Sequence, residues 1–235
     1  SAASDVYKRQ ISLIVYDREG SVVEEGNWTR TSNKLPRVVE EIKPHPHGIQ
    51  LGTLQRMLRE ANDRRMTSFL KHNFSGVSPR AAKEILAIAE VEEGRTPKRI
   101  KAEEAKKMVA AFQTVKLLKP PMDCLSPIED LLIKKGLSKA IDSRFASTVT
   151  RNPSVSQGNP FQIEVGLVFG GDLTSDGPIE ILRFANRVPL MYQQGGCLLT
   201  KALEAVNWKS YGLEQPGGSG IPKGPAAVLI HLAST

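Results

Sequence analysis

The sequence predicts an α+β protein made of three consecutive segments, and three observations support this prediction. Apolar residues alternate near the start and in the last part of the chain, as in half-buried β-strands. Between these parts, apolar residues recur at helical spacing. Proline-rich stretches separate the segments, KPHPHG at 43–48 and KLLKPPMDCLSP at 116–127, and a following proline disfavours helix. We therefore predict three segments, with boundaries at these two stretches.

The outer segments carry the strand signals. ISLIVY at 11–16 is followed by a DREG turn and by a second short strand. The last segment is predicted to contain, in order, a helix in IEDLLIKKGL, strands in FQIEVGLVFGG and IEILRFANRVPLMY, a helix in CLLTKALEAVN and a closing strand in AAVLIHLAS. Helices that alternate with strands in this way predict an α+β sandwich.

The middle segment is predicted to be a small all-α module. Its inward-facing residues are Leu51, Leu54, Met57 and Leu58 in the first helix, Met66, Phe69 and Leu70 in the second, and Met108, Val109 and Phe112 in the last. In SGVSPRAAKEILAIA, Gly76 predicts a turn, Ser78 an N-cap and Pro79 the first helical position.

Composition narrows the class of protein. Of 235 residues, 40% are hydrophobic and 24% are charged, as in ordinary globular domains. No apolar run approaches the roughly 20 residues that a membrane span needs, and no signal peptide is recognisable. Cys124 and Cys197 form neither a disulfide framework nor a metal-binding spacing. We therefore expect a cytoplasmic protein with reduced thiols and no membrane partner.

Residues 1–10, SAASDVYKRQ, do not continue into the first strand. DVYKRQ is also the translation of the transposase end sequence used in preparing sequencing libraries. We therefore expect residues 1–10 to be a non-native scar, and the chain to be an internal piece of a longer protein.

The net charge of +7 is concentrated in the middle of the chain. Residues 50–116 carry fourteen basic and eight acidic side chains, whereas the two flanking parts are close to neutral. A polyanion partner accounts for this distribution, and solvated helix surfaces are the alternative. The turn that enters the helix at Pro79 offers backbone N–H groups to a phosphate. The predicted DNA-binding side chains are Arg64, Arg65, Lys71, Arg80 and Lys83. A plain structural turn is the other interpretation.

Other motifs point to no chemistry. His45 and His47 are two residues apart, but no third ligand lies nearby in the sequence, so a segment boundary is favoured over a metal site. The stretches GGDLTSDG and QPGGSGIPKG do not fit a phosphate-binding loop that enters a helix. No catalytic or metal-binding set is predicted.

Several longer stretches resemble the B subunit of DNA topoisomerase VI, a type IIB topoisomerase of the GHKL ATPase family. They are KPHPHGI, FLKHNFSGVSPRAAKEIL, PPMDCLSPI, TRNPSVSQGNPFQIEVGLVFGG, LRFANRVPLMYQQGG and WKSYGLEQPGG. The resemblance covers roughly residues 11 to 235 in order. It implies the last strands of a GHKL-type ATPase domain at 11–42, a helix–two-turns–helix domain at 43–117, and a transducer domain at 118–235 that is similar to the second domain of ribosomal protein S5.

The resemblance also implies a function and partners. In that family, ATP binding dimerises two B subunits around a duplex, and two A subunits cleave and reseal a second duplex, so that supercoils are relaxed by double-strand passage. The expected cofactors of the full-length B subunit are ATP and Mg²⁺, and the transducer passes the nucleotide state to the DNA gate. The nucleotide-binding motifs lie upstream of residue 11 and the switch lysine beyond Thr235 in that family. We therefore expect no cofactor and no activity for this chain alone.

The stretch LRFANRVPLMYQ at 182–193 combines strand alternation with two arginines. On one strand, Arg183 and Arg187 at i and i+4 share a face, opposite Phe184 and Val188. A transducer must move as a rigid lever, so the resemblance suggests that Arg183, Asn186 and Arg187 make an interdomain contact. A guanidinium suits such a contact because it can donate two parallel hydrogen bonds to one carboxylate. The alternative is that both arginines reach solvent.

A different class of protein is the main alternative to the topoisomerase interpretation. The same helical turn and basic segment would suit a stand-alone nucleic-acid-binding module that contains a helix–two-turns–helix domain. The sequence upstream of residue 11 would distinguish the two, because only a topoisomerase B subunit carries an ATPase half there.

Overall fold

A computed structural model describes residues 11–28 and 31–235. The predicted scar at 1–10 lies outside the described residues. The chain divides into two compact units. We call them the sheet unit, which comprises 1–37, 127–150 and 164–231, and the helical unit, which comprises 38–126, 151–163 and 232–235.

The sheet unit begins with an antiparallel hairpin of strands β1 (Ile11–Tyr16) and β2 (Val22–Trp28). Asp17 shapes the predicted turn between them, because its carboxylate accepts hydrogen bonds from the N–H groups of Glu19 and Ser21 at 2.9 and 2.8 Å. Gly20 takes a φ of +83°, which a glycine adopts without strain. The two strands predicted in the first segment are therefore confirmed.

The helical unit contains four α-helices, as the periodicity predicts. They are α1 (Leu51–Glu60), α2 (Met66–Asn73), α3 (Pro79–Ile88) and α4 (Ala102–Thr114). Single turns of 3-10 helix lie at Pro46–Gly48 and Pro97–Arg99. The predicted inward positions form one apolar core, in which Leu54, Met66, Phe69, Leu70, Met108 and Phe112 are fully buried. The all-α prediction for this segment is confirmed.

The main sheet has six strands: β3 (Phe145–Thr150), β4 (Ser154–Ser156), β5 (Asn159–Phe169), β6 (Glu180–Ala185), β7 (Val188–Pro189) and β8 (Ala226–Ser234). Their order is β3–β5–β8–β6–β7, and β4 pairs with β5. Two helices accompany them, α5 (Asp130–Ala140) and α6 (Leu198–Glu204). Further single turns of 3-10 helix lie at Gln194–Gly196, Trp208–Tyr211 and Pro216–Gly218. The predicted α+β class is confirmed.

Within the sheet unit, apolar side chains pack on both faces of the sheet. One cluster joins α5 to the strands through Ile133, Leu137, Val168 and Ala227. The other cluster lies with α6 and contains Ile179, Ile181, Leu203, Trp208, Leu213, Ala226, Val228 and Ile230. Because neighbouring residues of a strand point to opposite faces, Ala227 belongs to the first cluster and Val228 to the second.

Two features of the sheet were not predicted. Strands β3 and β4 have no counterpart among the predicted elements, because FASTVT and SVS are short and rich in serine and threonine. The prediction of one strand through LRFANRVPLMYQ is wrong, since β6 and β7 form a hairpin in which Ala185 pairs with Val188.

No helix in the described part of the chain is both long and apolar enough to cross a membrane.

Candidate functional site

The five side chains predicted to bind DNA are all exposed on the helical unit. Arg64 and Arg65 immediately precede α2, Lys71 lies within α2, and Arg80 and Lys83 lie within α3. Exposure keeps their charges available, since long basic side chains reach solvent with little desolvation cost. Their role in binding DNA stays a prediction.

Contacts around Glu93 bring part of this basic set together. The Lys83 ammonium lies 3.8 Å from the Glu93 carboxylate. The carbonyl of Glu93 accepts a hydrogen bond from the N–H of Thr67 at 3.4 Å, at the start of α2. Lys83 therefore lies near the end of α2 that follows Arg65. Lys71 lies toward the opposite end of that helix.

The start of α3 is built as the sequence predicts. Ser78 is the N-cap, its hydroxyl accepts the N–H of Ala81 at 3.1 Å, and Pro79 is the first helical residue. The carbonyl of Ser78 also accepts the N–H of Ala82. Since Pro79 has no N–H and these two donors are used, few backbone groups are left for a phosphate. The basic side chains, more than the helix end, therefore support a DNA interface.

Asn186 and Arg187 form the turn of the β6–β7 hairpin. Their φ angles are +47° and +67°, the combination that a two-residue turn of type I′ requires. Asparagine adopts this conformation readily, but arginine does so at a cost. The turn separates Arg183 from Arg187, so the predicted common face on a single strand does not exist.

Arg183 is 7% exposed and points into the face of the sheet that α6 covers. Its Nη2 atom donates to the carbonyls of Leu190 and Tyr192 at 3.2 and 2.6 Å. The guanidinium carbon lies 5.1 Å from the centre of the Tyr192 ring, a cation–π distance. Arg183 therefore ties the segment after β7 back to β6, and its predicted interdomain contact stays a prediction.

Arg187 joins a buried polar network of the sheet unit. Its backbone N–H donates to His231 Nε2 at 2.9 Å, and its side chain donates to the carbonyl of Pro127. His231 Nδ1 lies 2.7 Å from the carboxylate of Glu164, and both residues have no solvent exposure. The hairpin turn, β8 and β5 are thus connected through side chains that are far apart in the sequence.

The Glu164 carboxylate has three further donors. The N–H groups of Ile128 and Glu129, just before α5, lie 2.6 and 2.7 Å from its oxygens, and the Thr150 hydroxyl of β3 lies 2.7 Å away. Burial raises the pKa of Glu164, but the hydrogen bonds from His231, Thr150 and the two N–H groups outweigh it and hold the pKa below 4.5. The group is therefore a carboxylate that anchors the start of α5.

Comparison with known proteins gives this geometry a context. Residues 120–235 match the transducer of the topoisomerase VI B subunit. The chain is 50% identical over 208 residues to the B subunit of type 2 DNA topoisomerase 6 from Methanococcoides burtonii, which covers 88% of this chain and 33% of that protein. The chain is 47% identical to the protein of the same name from Methanosarcina barkeri, and the match covers 96% of this chain and 35% of that protein. It is 42% identical to the one from Archaeoglobus fulgidus, and that match covers 100% of this chain and 41% of that protein.

The chain belongs to the topoisomerase VI B subunit family. It spans between 33% and 41% of the length of these three curated relatives. Within the family, the part that carries the Glu164 network is the transducer, because Ile128, Glu164, Arg187 and His231 all lie inside the matched residues 120–235.

The polar network around Glu164 was not predicted from the sequence. A signal was present, because Glu164 lies at an inward position of the strong strand β5 and His231 interrupts an apolar strand. A charged residue among buried strand positions needs a partner. The partner of Glu164 could not be chosen from the sequence, since His231 lies 67 residues away.

His45 is a second residue whose role was not predicted from the sequence. It is buried in the helical unit, where Nε2 lies 3.0 Å from the carbonyl of Leu118 and Nδ1 accepts the N–H of His47 at 3.3 Å. A Cβ at Gly76 or Gly158 would lie 2.9 or 2.8 Å from its ring. His45 therefore fills the space between three loops of one unit.

The positions of these histidines do not build a metal site. In the described part of the chain, no group of three or more His, Cys, Asp or Glu residues could hold a metal ion. His45 uses both ring nitrogens for hydrogen bonds to the backbone.

Proposed function

We propose that this chain is the part of a topoisomerase VI B subunit that transmits the nucleotide state of an ATPase domain to the DNA gate. The match of residues 120–235 to the transducer family is the observation that carries this proposal. The complete assembly is a type IIB topoisomerase that relaxes supercoils by double-strand passage. Its proposed partners are the A subunit of topoisomerase VI, a second B subunit and double-stranded DNA, with ATP and Mg²⁺ bound by the full-length B subunit.

The finer domain assignment is part of the same proposal. Residues 11–42 form the end of a GHKL-type ATPase domain, residues 43–117 a helix–two-turns–helix domain, and residues 118–235 a transducer similar to the second domain of ribosomal protein S5. The hairpin of β1 and β2 and the four-helix core agree with the first two assignments. The alternative of a stand-alone nucleic-acid-binding module has no support from the relatives.

The Glu164 network suits a part that must transmit movement. A transducer can pass a displacement from one end to the other only if its elements move together. Glu164 and His231 connect the start of α5 with β3, β5, β8 and the β6–β7 turn. Since buried charged groups without partners are costly, these elements are held in one arrangement. We infer that the network makes the transducer rigid.

Coupling is tested in the holoenzyme, in which full-length B subunits are assembled with A subunits. Arg187→Gly removes the side-chain hydrogen bond to Pro127 but keeps the backbone N–H that His231 accepts. We expect relaxation of supercoiled DNA to fall by about tenfold, the effect of roughly 1.4 kcal/mol of lost coupling, while ATP hydrolysis stays within about twofold.

The control for this test is Arg144→Ala, which removes an exposed arginine of the same unit. It should leave both rates close to those of the wild type. Equal losses of ATP hydrolysis and relaxation in Arg187→Gly would contradict a role in coupling. Normal relaxation in that variant would contradict it as well.

The basic surface of the helical unit is proposed to contact the DNA backbone. Each phosphate that a protein neutralises contributes about −0.9 to the slope of log affinity against log salt. Replacing Arg64, Arg65, Arg80 and Lys83 with glutamine should therefore reduce the magnitude of that slope by roughly two to four. The measurement is binding of a duplex of mixed sequence to the whole chain at several salt concentrations.

Four exposed lysines of α5 and α6 provide the matched control. They are Lys134, Lys135, Lys139 and Lys201. Their replacement with glutamine removes the same charge and should change the slope less. If the two sets change the slope equally, the binding depends on the net charge of the protein and the proposed DNA interface on the helical unit is wrong.

A further inference from the structure

Cys197 lies in a cluster of polar side chains within the sheet unit, together with Tyr192 and Arg183. It is the residue before α6 and is 1% exposed. The hydroxyl of Tyr192 donates a hydrogen bond to its sulfur at 3.2 Å. A tyrosine hydroxyl that donates to sulfur stabilises negative charge on that sulfur.

Arg183 supplies the positive charge of the cluster. Its Nη2 atom is engaged by the carbonyls of Leu190 and Tyr192. Its Nη1 atom is buried and has no hydrogen-bond partner in the part of the chain that the structure describes. A buried guanidinium nitrogen without an acceptor leaves hydrogen-bonding capacity beside the thiol unused.

The chemistry of Cys197 follows from these neighbours. Burial alone raises the pKa of its thiol, but the Tyr192 hydroxyl, the N–H of Thr200, the Arg183 guanidinium and the N–H of Leu199 lower it to about 6. Cys124 differs, because burial raises the pKa of that thiol. Since the thiolate is the reacting form of cysteine, the two thiols of this chain should differ in reactivity.

We propose that Cys197 is an oxidation site that reacts with hydrogen peroxide to form a sulfenic acid. The sulfur anion attacks one peroxide oxygen, an S–O bond forms and the O–O bond breaks. The sulfur loses two electrons to the peroxide, and the hydroxide that leaves takes up a proton from solvent to become water. The inference is independent of the proposed topoisomerase activity.

The surroundings fit both the reagent and the product. Residues 191–196 are exposed and lie directly before Cys197 in the chain, and the Tyr192 ring that covers the sulfur is itself exposed. Only a small oxidant has to pass this layer. The new oxygen of the sulfenic acid is a hydrogen-bond acceptor, and the Nη1 atom of Arg183 is a buried donor without a partner among the described residues.

The test compares Cys197 with Cys124 in the whole chain. The protein is treated with hydrogen peroxide at several pH values, then unfolded in urea that contains dimedone, and each cysteine peptide is quantified by mass spectrometry. A thiol of pKa about 6 has more thiolate than an ordinary thiol of about 8.5, but each thiolate is less nucleophilic. We therefore expect Cys197 to be oxidised at least about tenfold faster than Cys124 at pH 6, and about twofold faster than Cys124 at pH 7.

Two comparisons decide the result. Tyr192→Phe removes the hydroxyl donor, so the pH at which the oxidation rate of Cys197 is half-maximal should rise above 6. In protein unfolded before the peroxide is added, the difference between the two cysteines should vanish. Equal rates in the folded chain, or no oxidation of Cys197, would overturn the proposal. So would a rate for Cys197 that keeps rising above pH 8.

Discussion

Two buried histidines, one in each unit, are held in different ways. His45 in the helical unit makes hydrogen bonds to two backbone groups, those of Leu118 and His47. His231 in the sheet unit bonds to the carboxylate of Glu164 and accepts the N–H of Arg187. An imidazole between backbone groups is held as a neutral spacer, whereas an imidazole beside a carboxylate is part of an electrostatic network.

The two units therefore depend on their buried polar groups in different ways. Around His45 the packing is steric, because the α-carbons of Gly76 and Gly158 leave no room for a side chain. Around His231, hydrogen bonds to a charged group hold the elements together, because the fully buried Glu164 carboxylate accepts hydrogen bonds from four donors. Changes to these buried groups should therefore affect the two units to different degrees.

Glu164→Gln should destabilise the sheet unit by about 1–3 kcal/mol, because buried donors lose the carboxylate that accepted their hydrogen bonds. The amide keeps the size of the side chain, but its NH₂ group faces donors where the carboxylate accepted hydrogen bonds. Urea unfolding followed by tryptophan fluorescence measures this loss, since Trp208 is buried in the apolar core of the sheet unit.

Glu180→Gln is the matched control for that variant. Glu180 is the exposed first residue of β6, so its replacement should change the free energy of unfolding by less than about 0.5 kcal/mol. If the two variants unfold at the same urea concentration, the Glu164 network contributes little to stability and the contrast fails.

The second prediction concerns pH and has a smaller effect. Burial lowers the pKa of His45, so the unfolded chain binds a proton more readily, and the helical unit loses stability as pH falls below about 6.5. The pKa of Glu164 is also lowered, so its contribution is present above about 4.5 and is lost as pH falls through the folded value. Circular dichroism of the helices should therefore respond to acid before tryptophan fluorescence does.

A histidine variant assigns the first of these changes. His45→Gln should remove most of the dependence between pH 7 and pH 5, although it also lowers stability at pH 7. Simultaneous loss of both signals at one pH would mean that the two units do not respond separately.

The replacement Arg187→Gly should have the smallest effect on stability. Arg187→Gly creates an Asn-Gly turn, the preferred pair for type I′, and keeps the N–H that His231 accepts. Relief of the strained φ of +67° offsets the lost bond to Pro127, so the free energy of unfolding should change by less than about 1 kcal/mol. Arg187→Ala loses the same side-chain bond to Pro127 without relieving the positive φ, and should cost more in the same urea experiment. Equal effects would show that the strain of this turn contributes little to stability.

Much of the fold could be predicted because its signals are local. Helical spacing identified all four helices of the helical unit, and Ser78 and Pro79 marked the start of α3. The alternation in β5 and the apolar run of β8 identified these two strands. Strand β3 was missed because an edge strand can be short and polar, and the turn at Asn186 and Arg187 was missed because it contains no glycine.

Local patterns and long matching stretches were enough to predict most helices and strands, the basic residues and the family resemblance. The pairing of polar groups, such as Glu164 with His231, and Cys197 with Tyr192 and Arg183, depends on the tertiary structure. The physical reason is that a buried charge must find a partner, and the path of the chain through space determines which distant residue can serve.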